Sequence, residues 1–230
     1  VIDIRKAAAY ARSRGATIII DNTFATPINQ NPLGLGVDVV MHSGTKYLGG
    51  HSDICCGIVV TSSEKAARIR ALACHLGESL DAQTCYLLER SLKTLAVRVE
   101  RQTQNAGRIA EHLSGTKAVT RVHYPGLPGS RGHEIAASQM SGFGGMLSFE
   151  VDEARMSARA FLERLRLIRP AVSLGGVETT ICAPAVTSHA KISADERKRI
   201  GIPDSLLRLS VGIEHADDLI ADLDQALGAR

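Results

Sequence analysis

The sequence predicts an α/β fold, in which helices cover an open sheet. Residues 3–14 have helical spacing, Gly15 ends that segment, and the β-branched run at 17–20 has the composition of a fully buried strand. Short apolar runs then alternate with longer segments of helical spacing along the chain. This alternation is typical of helices that pack against a sheet.

The first half continues the pattern. Short strands are predicted at 37–40 and 55–60, and helices at about 64–75 and 82–114. The last helix is unusually long and charged, which predicts that it bridges two regions of the fold. We therefore expect one domain over residues 1–110 and a second over residues 111–230.

The second half reads as another α/β module. Its predicted elements are strands at 119–124, 146–151, near 171–173 and 206–211, and helices at 154–165 and from about 216 onwards. A loop rich in proline and glycine, YPGLPGSRG, follows the first of these strands. Ser193 and Glu196 have the spacing of a capping box, which predicts a short helix there.

Composition excludes several classes of protein. Hydrophobic residues make up 44% of the chain, charged residues 22%, and the formal charge is +3, which fits a folded protein and disfavours nucleic-acid binding. The apolar runs are far too short to span a membrane. Five cysteines at irregular spacing indicate reduced thiols in a cytoplasmic protein. The chain opens without methionine, almost inside a helix, which predicts a fragment of a longer protein.

The most informative stretch is MHSGTKYLGGHSD at residues 41–53, directly after a predicted strand. Ligands collect beyond the carboxyl ends of strands in open α/β sheets. There Lys46 could form an imine with an aldehyde cofactor, and the hydroxyls of Ser43 and Thr45 could donate to a phosphate. A simple turn with a solvated lysine is the alternative. A metal site at His42, His51 and Asp53 is disfavoured, because these residues lack the spacing of known ligand sets.

Asp21 stands at the end of the preceding predicted strand. A carboxylate there could hold a proton on a pyridine nitrogen and make the ring a better electron acceptor. A turn cap is the alternative reading of the same aspartate. Asp21 and Lys46 at successive strand ends would face one crevice.

Six motifs occur in an order that resembles the Cys/Met metabolism family of pyridoxal-phosphate enzymes: DNTFATP, HSGTKYLGGHSD, ERSLKTL, YPGLPG, SLGGVET and LRLSVGIE. The resemblance covers essentially the whole chain and corresponds to the C-terminal portion of the family. It implies a fold-type I pyridoxal-phosphate-dependent transferase fold, similar to aspartate aminotransferase. The chain would hold part of the large domain and the C-terminal α/β domain.

The resemblance also implies roles for individual residues. Lys46 would be the catalytic lysine that carries pyridoxal 5'-phosphate, and the other cofactor-binding residues would be Asp21 at the pyridine nitrogen, Thr23 near the ring, and Ser43 and Thr45 at the phosphate. Ser173 and Arg208 would bind the α-carboxylate of an amino-acid substrate, since the arginine fork suits a carboxylate. Glu178 would line the substrate site as in members that act at the γ-carbon.

The activity implied is trans-sulfuration by γ-elimination or γ-replacement, of the cystathionine γ-lyase or γ-synthase type. Cystathionine β-lyase, methionine γ-lyase and O-acetylhomoserine sulfhydrylase are the alternatives within the family, and a truncated non-catalytic fragment is the alternative outside it. The family further implies a homotetramer. The glycine turn at the phosphate and the tyrosine on the ring would precede this segment.

Overall fold

The computed structural model describes residues 1–228 and confirms the α/β class. Among these residues the helices are α1 (Ile4–Ser13), α2 (Thr26–Asn29), α3 (Ser63–Leu76), α4 (Ala82–Leu92), α5 (Leu95–Ser114), α6 (His133–Gln139), α7 (Ala158–Leu162), α8 (Ala194–Arg199) and α9 (Ala216–Leu227). The strands are β1 (Ile19–Asp21), β2 (Val39–Ser43), β3 (Gly57–Thr61), β4 (Val119–His123), β5 (Met146–Val151), β6 (Arg169–Pro170), β7 (Thr180–Cys182) and β8 (Leu206–Ser210).

The strands form two sheets. The first has the order β1-β2-β3, with β1 parallel and β3 antiparallel to β2. The second has the order β4-β5-β8-β7-β6, in which β6 and β7 are parallel and the other neighbours antiparallel. Because β1 and β2 are parallel, Asp21 and Ser43 end their strands at the same edge of the first sheet.

The five-stranded sheet contains the main hydrophobic core. Phe149, Phe161 and Leu209 are fully buried within it, and α5 and α9 supply much of the cover. A smaller cluster centred on Tyr47 and Leu174 lies between the two sheets. This second cluster is important for function because its tyrosine follows directly on Lys46.

The predicted long helix over 82–114 is wrong in one respect: it is two helices, α4 and α5, separated at residues 93–94. The carbonyl of Ser91 accepts from both the N–H and the hydroxyl of Thr94 at 3.2 Å, and from the guanidinium of Arg98 at 2.9 Å. These bonds close a tight turn in place of a continued helix. Helix α5 passes through residue 110 without a break, and the division into domains there stays a prediction.

Three other predicted elements are corrected. The strand β1 is not fully buried, since Ile19 at the edge of its sheet is 60% exposed. Residues 171–173 follow a two-residue strand, β6, and the apolar β7 beside it was not predicted. The helix expected at 154–165 is the shorter α7, because residues 152–156 form a turn closed by the Asp152 carboxylate.

The predicted short helix after Ser193 is confirmed as α8. The Ser193 hydroxyl accepts from the N–H of Glu196 at 3.3 Å, which caps the first turn. Glu196 itself pairs with Arg199. Within residues 1–228, no helix is long and apolar enough to cross a membrane.

Candidate active site

A cavity of about 690 Å³ opens at the carboxyl ends of β1 and β2. Its polar lining includes Asp21, Thr23, Ser43 and Lys46, which come from the two strand ends and the turn that follows. Its apolar lining comes largely from the other half of the chain, for example from Phe143. The structure thus brings the cofactor residues predicted at successive strand ends into one crevice between the two sheets.

Lys46 lies in a tight turn, Gly44–Leu48, which we call the lysine turn. The N–H of Gly49 donates to the Gly44 carbonyl at 2.8 Å, and the N–H of Gly50 donates to the Lys46 carbonyl at 2.7 Å. Lys46 leaves helical geometry within this turn, at φ −92° and ψ −124°. Its amine is directed out of the turn and donates to the Ser173 hydroxyl at 3.4 Å.

Asp21 and Thr23 form a local structure at the end of β1. The Asp21 carboxylate accepts from the N–H of Thr23 at 2.9 Å, a turn that orients the carboxylate. The Thr23 hydroxyl accepts from the N–H of Ser43 at 2.8 Å and so joins the ends of β1 and β2. These bonds hold Asp21 and Ser43 at fixed positions on the wall of the cavity.

Ser173 and Arg208 meet beside Lys46. The Arg208 guanidinium, on β8, donates to the carbonyls of Val172 at 2.7 Å and Ser173 at 3.4 Å. Its Nε is buried and has no hydrogen-bond partner among residues 1–228. A buried donor without a partner is uncommon in a protein and indicates room for an anionic ligand group.

Glu178 accepts a hydrogen bond from the Ser52 hydroxyl at 2.7 Å. Ser52 follows the lysine turn in sequence, whereas Glu178 ends the loop 173–178 that carries Ser173. The same loop is held by the N–H of Val177, which donates to the Gly50 carbonyl at 2.9 Å. Glu178 is therefore placed next to the lysine-bearing segment, although it does not line the cavity.

Thr45 points away from the cavity. Its hydroxyl accepts from the N–H of Cys56 at 3.1 Å, and its own N–H donates to the Cys56 carbonyl at 3.3 Å. These contacts tie the lysine turn to the residue before β3. The predicted phosphate contact of Thr45 is not visible in this geometry and stays a prediction.

His42 is buried on β2, one residue before Ser43. Desolvation lowers its pKa, and the negative charge of Asp21 opposes that shift in part. His51 is exposed and lies against the Gly49 carbonyl at 2.7 Å. Over the described part of the chain, no three His, Cys, Asp or Glu side chains are grouped so that they could hold a metal ion.

The sequence did not reveal the polar residues of α5 that face the site. Gln102 donates to the Gly176 carbonyl at 2.7 Å, and Asn105 donates to the carbonyls of Gly212 and Glu214 at 3.1 and 2.8 Å. Arg98 donates to the lysine turn itself. Polar residues at helical spacing on the buried side of α5 were the available signal.

Comparisons with known proteins give a consistent result. A model of the Cys/Met metabolism PLP-dependent enzyme family matches residues 1–228. The cystathionine β-lyase of Lactococcus lactis subsp. cremoris is 49% identical over 99% of this chain, and the cystathionine γ-lyase of Dictyostelium discoideum is 48% identical over the same share. The crystal structure of cystathionine γ-lyase from Lactobacillus plantarum, complexed with L-serine, superposes with a TM-score of 0.95 at 43% identity over 100% of this chain.

The chain spans about 60% of the length of these relatives. It covers 60% of the Lactococcus enzyme, 59% of the Dictyostelium enzyme and 60% of the Lactobacillus chain.

Proposed function

The chain belongs to the Cys/Met metabolism family of pyridoxal-phosphate-dependent enzymes, and from this premise we propose that its protein performs trans-sulfuration chemistry at the γ-carbon of sulfur amino acids. The reaction would be γ-elimination or γ-replacement, as in a cystathionine γ-lyase or γ-synthase. One observation carries the proposal: the amine of Lys46 and the carboxylate of Asp21 line one cavity. Ser173, on the substrate side, accepts from that amine at 3.4 Å.

The residues present fit pyridoxal phosphate. The cavity offers an amine for the aldehyde, a carboxylate for the pyridine nitrogen and largely apolar walls for the ring. The donor set also supports the fit, because Ser43 lines the same wall and the buried Nε of Arg208 lacks a protein partner. When bound, the cofactor supplies an aldehyde that condenses with amines and a ring that accepts electrons from the substrate's α-carbon.

Each of this chain's residues then has one task. Lys46 Nζ takes the proton from the substrate's α-carbon and can return a proton elsewhere on the substrate. The Asp21 carboxylate keeps a proton on the pyridine nitrogen. Arg208, with Ser173, binds and orients the substrate's α-carboxylate through charge-assisted hydrogen bonds. The wall that includes Phe143 excludes water from this exchange.

Glu178 supports action at the γ-carbon over the β-carbon. Release of a γ-substituent requires a second proton shift, from the β-carbon, whereas β-elimination requires only the first. A carboxylate held beside the lysine-bearing segment is suited to the longer substrates of γ chemistry. Overall identity does not separate the alternatives, because the relatives include a β-lyase at 49% and a γ-lyase at 48%. Methionine γ-lyase and O-acetylhomoserine sulfhydrylase are further possibilities for the test below.

Product analysis tests the proposal. The full-length protein is supplied with pyridoxal phosphate and cystathionine, or with an O-acylated homoserine and cysteine. We expect ammonia and 2-oxobutanoate from the first mixture or cystathionine from the second. Pyruvate and homocysteine in place of these products would assign β-elimination and overturn the γ assignment. Lys46→Ala should abolish turnover and the yellow absorbance of the lysine-bound cofactor, whereas the exposed Lys117→Ala should change neither.

The same absorbance measurement addresses the rival hypothesis of a non-catalytic fragment. A protein that stays colourless after cofactor is added, and that turns over none of these substrates, would support that rival. Exposure of polar site residues is its main support, because Asp21 is exposed in this chain. A yellow protein whose colour requires Lys46 would rule it out.

We also propose a cytoplasmic homo-oligomer, a tetramer by family resemblance. Helix α3 has no buried residue, and apolar side chains such as Leu72, Leu76 and Tyr86 are exposed on α3 and α4. A contiguous apolar surface of this kind is usually covered by another protein surface. Five cysteines without disulfides support a reducing compartment. Light scattering of the full-length protein measures the assembly directly, and a monomer would contradict it.

A further inference from the structure

The guanidinium of Arg98 is buried beneath the lysine turn. Only 4% of this residue is exposed, although arginine is almost never so buried without a charged partner. Its Nη1 donates to the Tyr47 carbonyl at 2.7 Å, and its Nη2 donates to the Leu48 carbonyl at 3.3 Å. Both carbonyls belong to the two residues that directly follow Lys46.

The other end of the same guanidinium holds the junction of α4 and α5. Its Nη2 also donates to the Ser91 carbonyl at 2.9 Å, and its Nε donates to the Thr94 hydroxyl at 3.0 Å. One rigid, planar group thus joins the lysine turn to the end of one helix and the start of the next. The backbone of the lysine turn is fixed to the helical layer at this point.

No carboxylate neutralises this cation. None of the ion pairs among residues 1–228 includes Arg98, and burial lowers the pKa of its guanidinium. Desolvation of an unpaired charge costs free energy, which several well-placed carbonyls offset. A structural role alone could be met by an apolar side chain of similar size. The choice of a buried cation aimed at three backbone carbonyls therefore needs a further reason.

Gly50 supplies an independent observation. Its φ of +74° lies in the left-handed region, and a Cβ at this position would overlap the Arg98 guanidinium. The N–H of Gly50 also closes the lysine turn on the Lys46 carbonyl. The turn and the arginine are therefore fitted to each other, with glycine at the point of closest approach.

We propose that Arg98 is a positioning residue for Lys46: it fixes the lysine turn so that the amine points at Ser173 and into the cavity. The inference rests on the proposed role of Lys46. Arg98 touches neither the cavity nor the amine, so it acts through the carbonyls of the turn. Displacement of a reacting group by about 1 Å can cost about 100-fold in rate, which sets the scale of the expected effect.

Three variants of the full-length protein test the proposal. Arg98→Lys keeps the charge but loses the planar fork, Arg98→Met removes both, and Thr94→Val removes only the acceptor of Nε. Arg101→Lys and Arg101→Met, at an exposed position of the same helix, are the matched controls. Urea midpoints report folding, mass spectrometry after borohydride reduction reports capture of pyridoxal phosphate at Lys46, and steady-state kinetics separate kcat from KM.

For Arg98→Lys we expect a folded protein in which capture at Lys46 slows about 10-fold or more and kcat falls by a similar factor, while KM changes less than about 3-fold. Thr94→Val should show the same pattern more weakly, and the Arg101 variants should match the unaltered protein. If Arg98→Met does not fold, Arg98→Lys and Thr94→Val decide the outcome. Capture and kcat equal to the unaltered protein in both would overturn the proposal.

Failure of the proposed function has a different signature. If the unaltered protein itself captures no pyridoxal phosphate at Lys46, the proposed role of the lysine fails before the variants are compared. If capture at Lys46 is normal in the unaltered protein and in all Arg98 variants, only the positioning role fails. A fall in urea midpoint with an unchanged capture rate would likewise assign Arg98 to stability alone.

Discussion

The two sheets differ in how far they bury their own residues. The five-stranded sheet encloses a core in which Phe149, Phe161 and Leu209 are fully buried. The three-stranded sheet has a core of three buried residues, and Ile19 and Val59 on its strands stay largely exposed. The first region is therefore stabilised by its own packing, whereas the second, which carries Lys46 and Asp21, depends on contacts outside its own sheet.

Truncation of matched side chains should give the largest difference between the regions. Leu209→Ala removes a fully buried side chain from the central strand β8 and should lower the free energy of unfolding by about 2–5 kcal/mol. Ile19→Ala, at a position that is 60% exposed, should change it by less than about 0.5 kcal/mol. Urea midpoints at several protein concentrations measure both. A large loss for Ile19→Ala that grows with concentration would break the contrast and show that an assembly covers β1.

A smaller effect is expected from His42, which is buried in the three-stranded sheet. Its pKa is lowered from an ordinary value of 6.5 by desolvation, so the unfolded chain binds a proton more readily than the folded one. Stability should therefore be complete above about pH 6.5 and fall as the pH drops below that value towards the lowered pKa.

Thermal midpoints between pH 5 and 7.5 measure this dependence. His42→Gln should flatten it, and His75→Gln, at an exposed histidine, controls for the loss of an imidazole. An equally steep dependence in His42→Gln would remove His42 as its source.

The smallest effect concerns the joint between the regions. Ser52→Ala removes the bond from the Ser52 hydroxyl to Glu178, and should cost about 0.5–1 kcal/mol because both groups are reached by water. The double variant Ser52→Ala/Glu178→Gln should cost less than the sum of the two single variants, which a double-mutant cycle measures. The exposed Ser63→Ala is the control. Strict additivity would mean that the bond does not couple the two regions.

The sequence predicted best where chain direction decides the outcome. Asp21 and Lys46 could be placed together because residues after adjacent parallel strands emerge at one edge of a sheet. Ser173 was matched by motif, and the structure brings its hydroxyl to Lys46. The α/β class followed from periodicity for the same reason, since it depends on local composition.

Other features had no local signature. The break between α4 and α5 occurs at Lys93 and Thr94, residues that helices tolerate, and it depends on Arg98 from the next turn. The exposure of Ile19 could not be predicted either, because a β-branched run has the same composition in a central strand and at an edge. Backbone carbonyls are the partners of Arg98, and every residue has one.

The loop 173–178 and the segment 50–52 share a consequence for protein engineering. Val177 donates to the Gly50 carbonyl and Ser52 donates to Glu178, so the loop that carries Ser173 is registered against the segment that carries Lys46. Exchange of the loop alone between relatives would separate two halves of one interlocking part. Substrate preference should transfer only when residues 50–52 and 173–178 are grafted together.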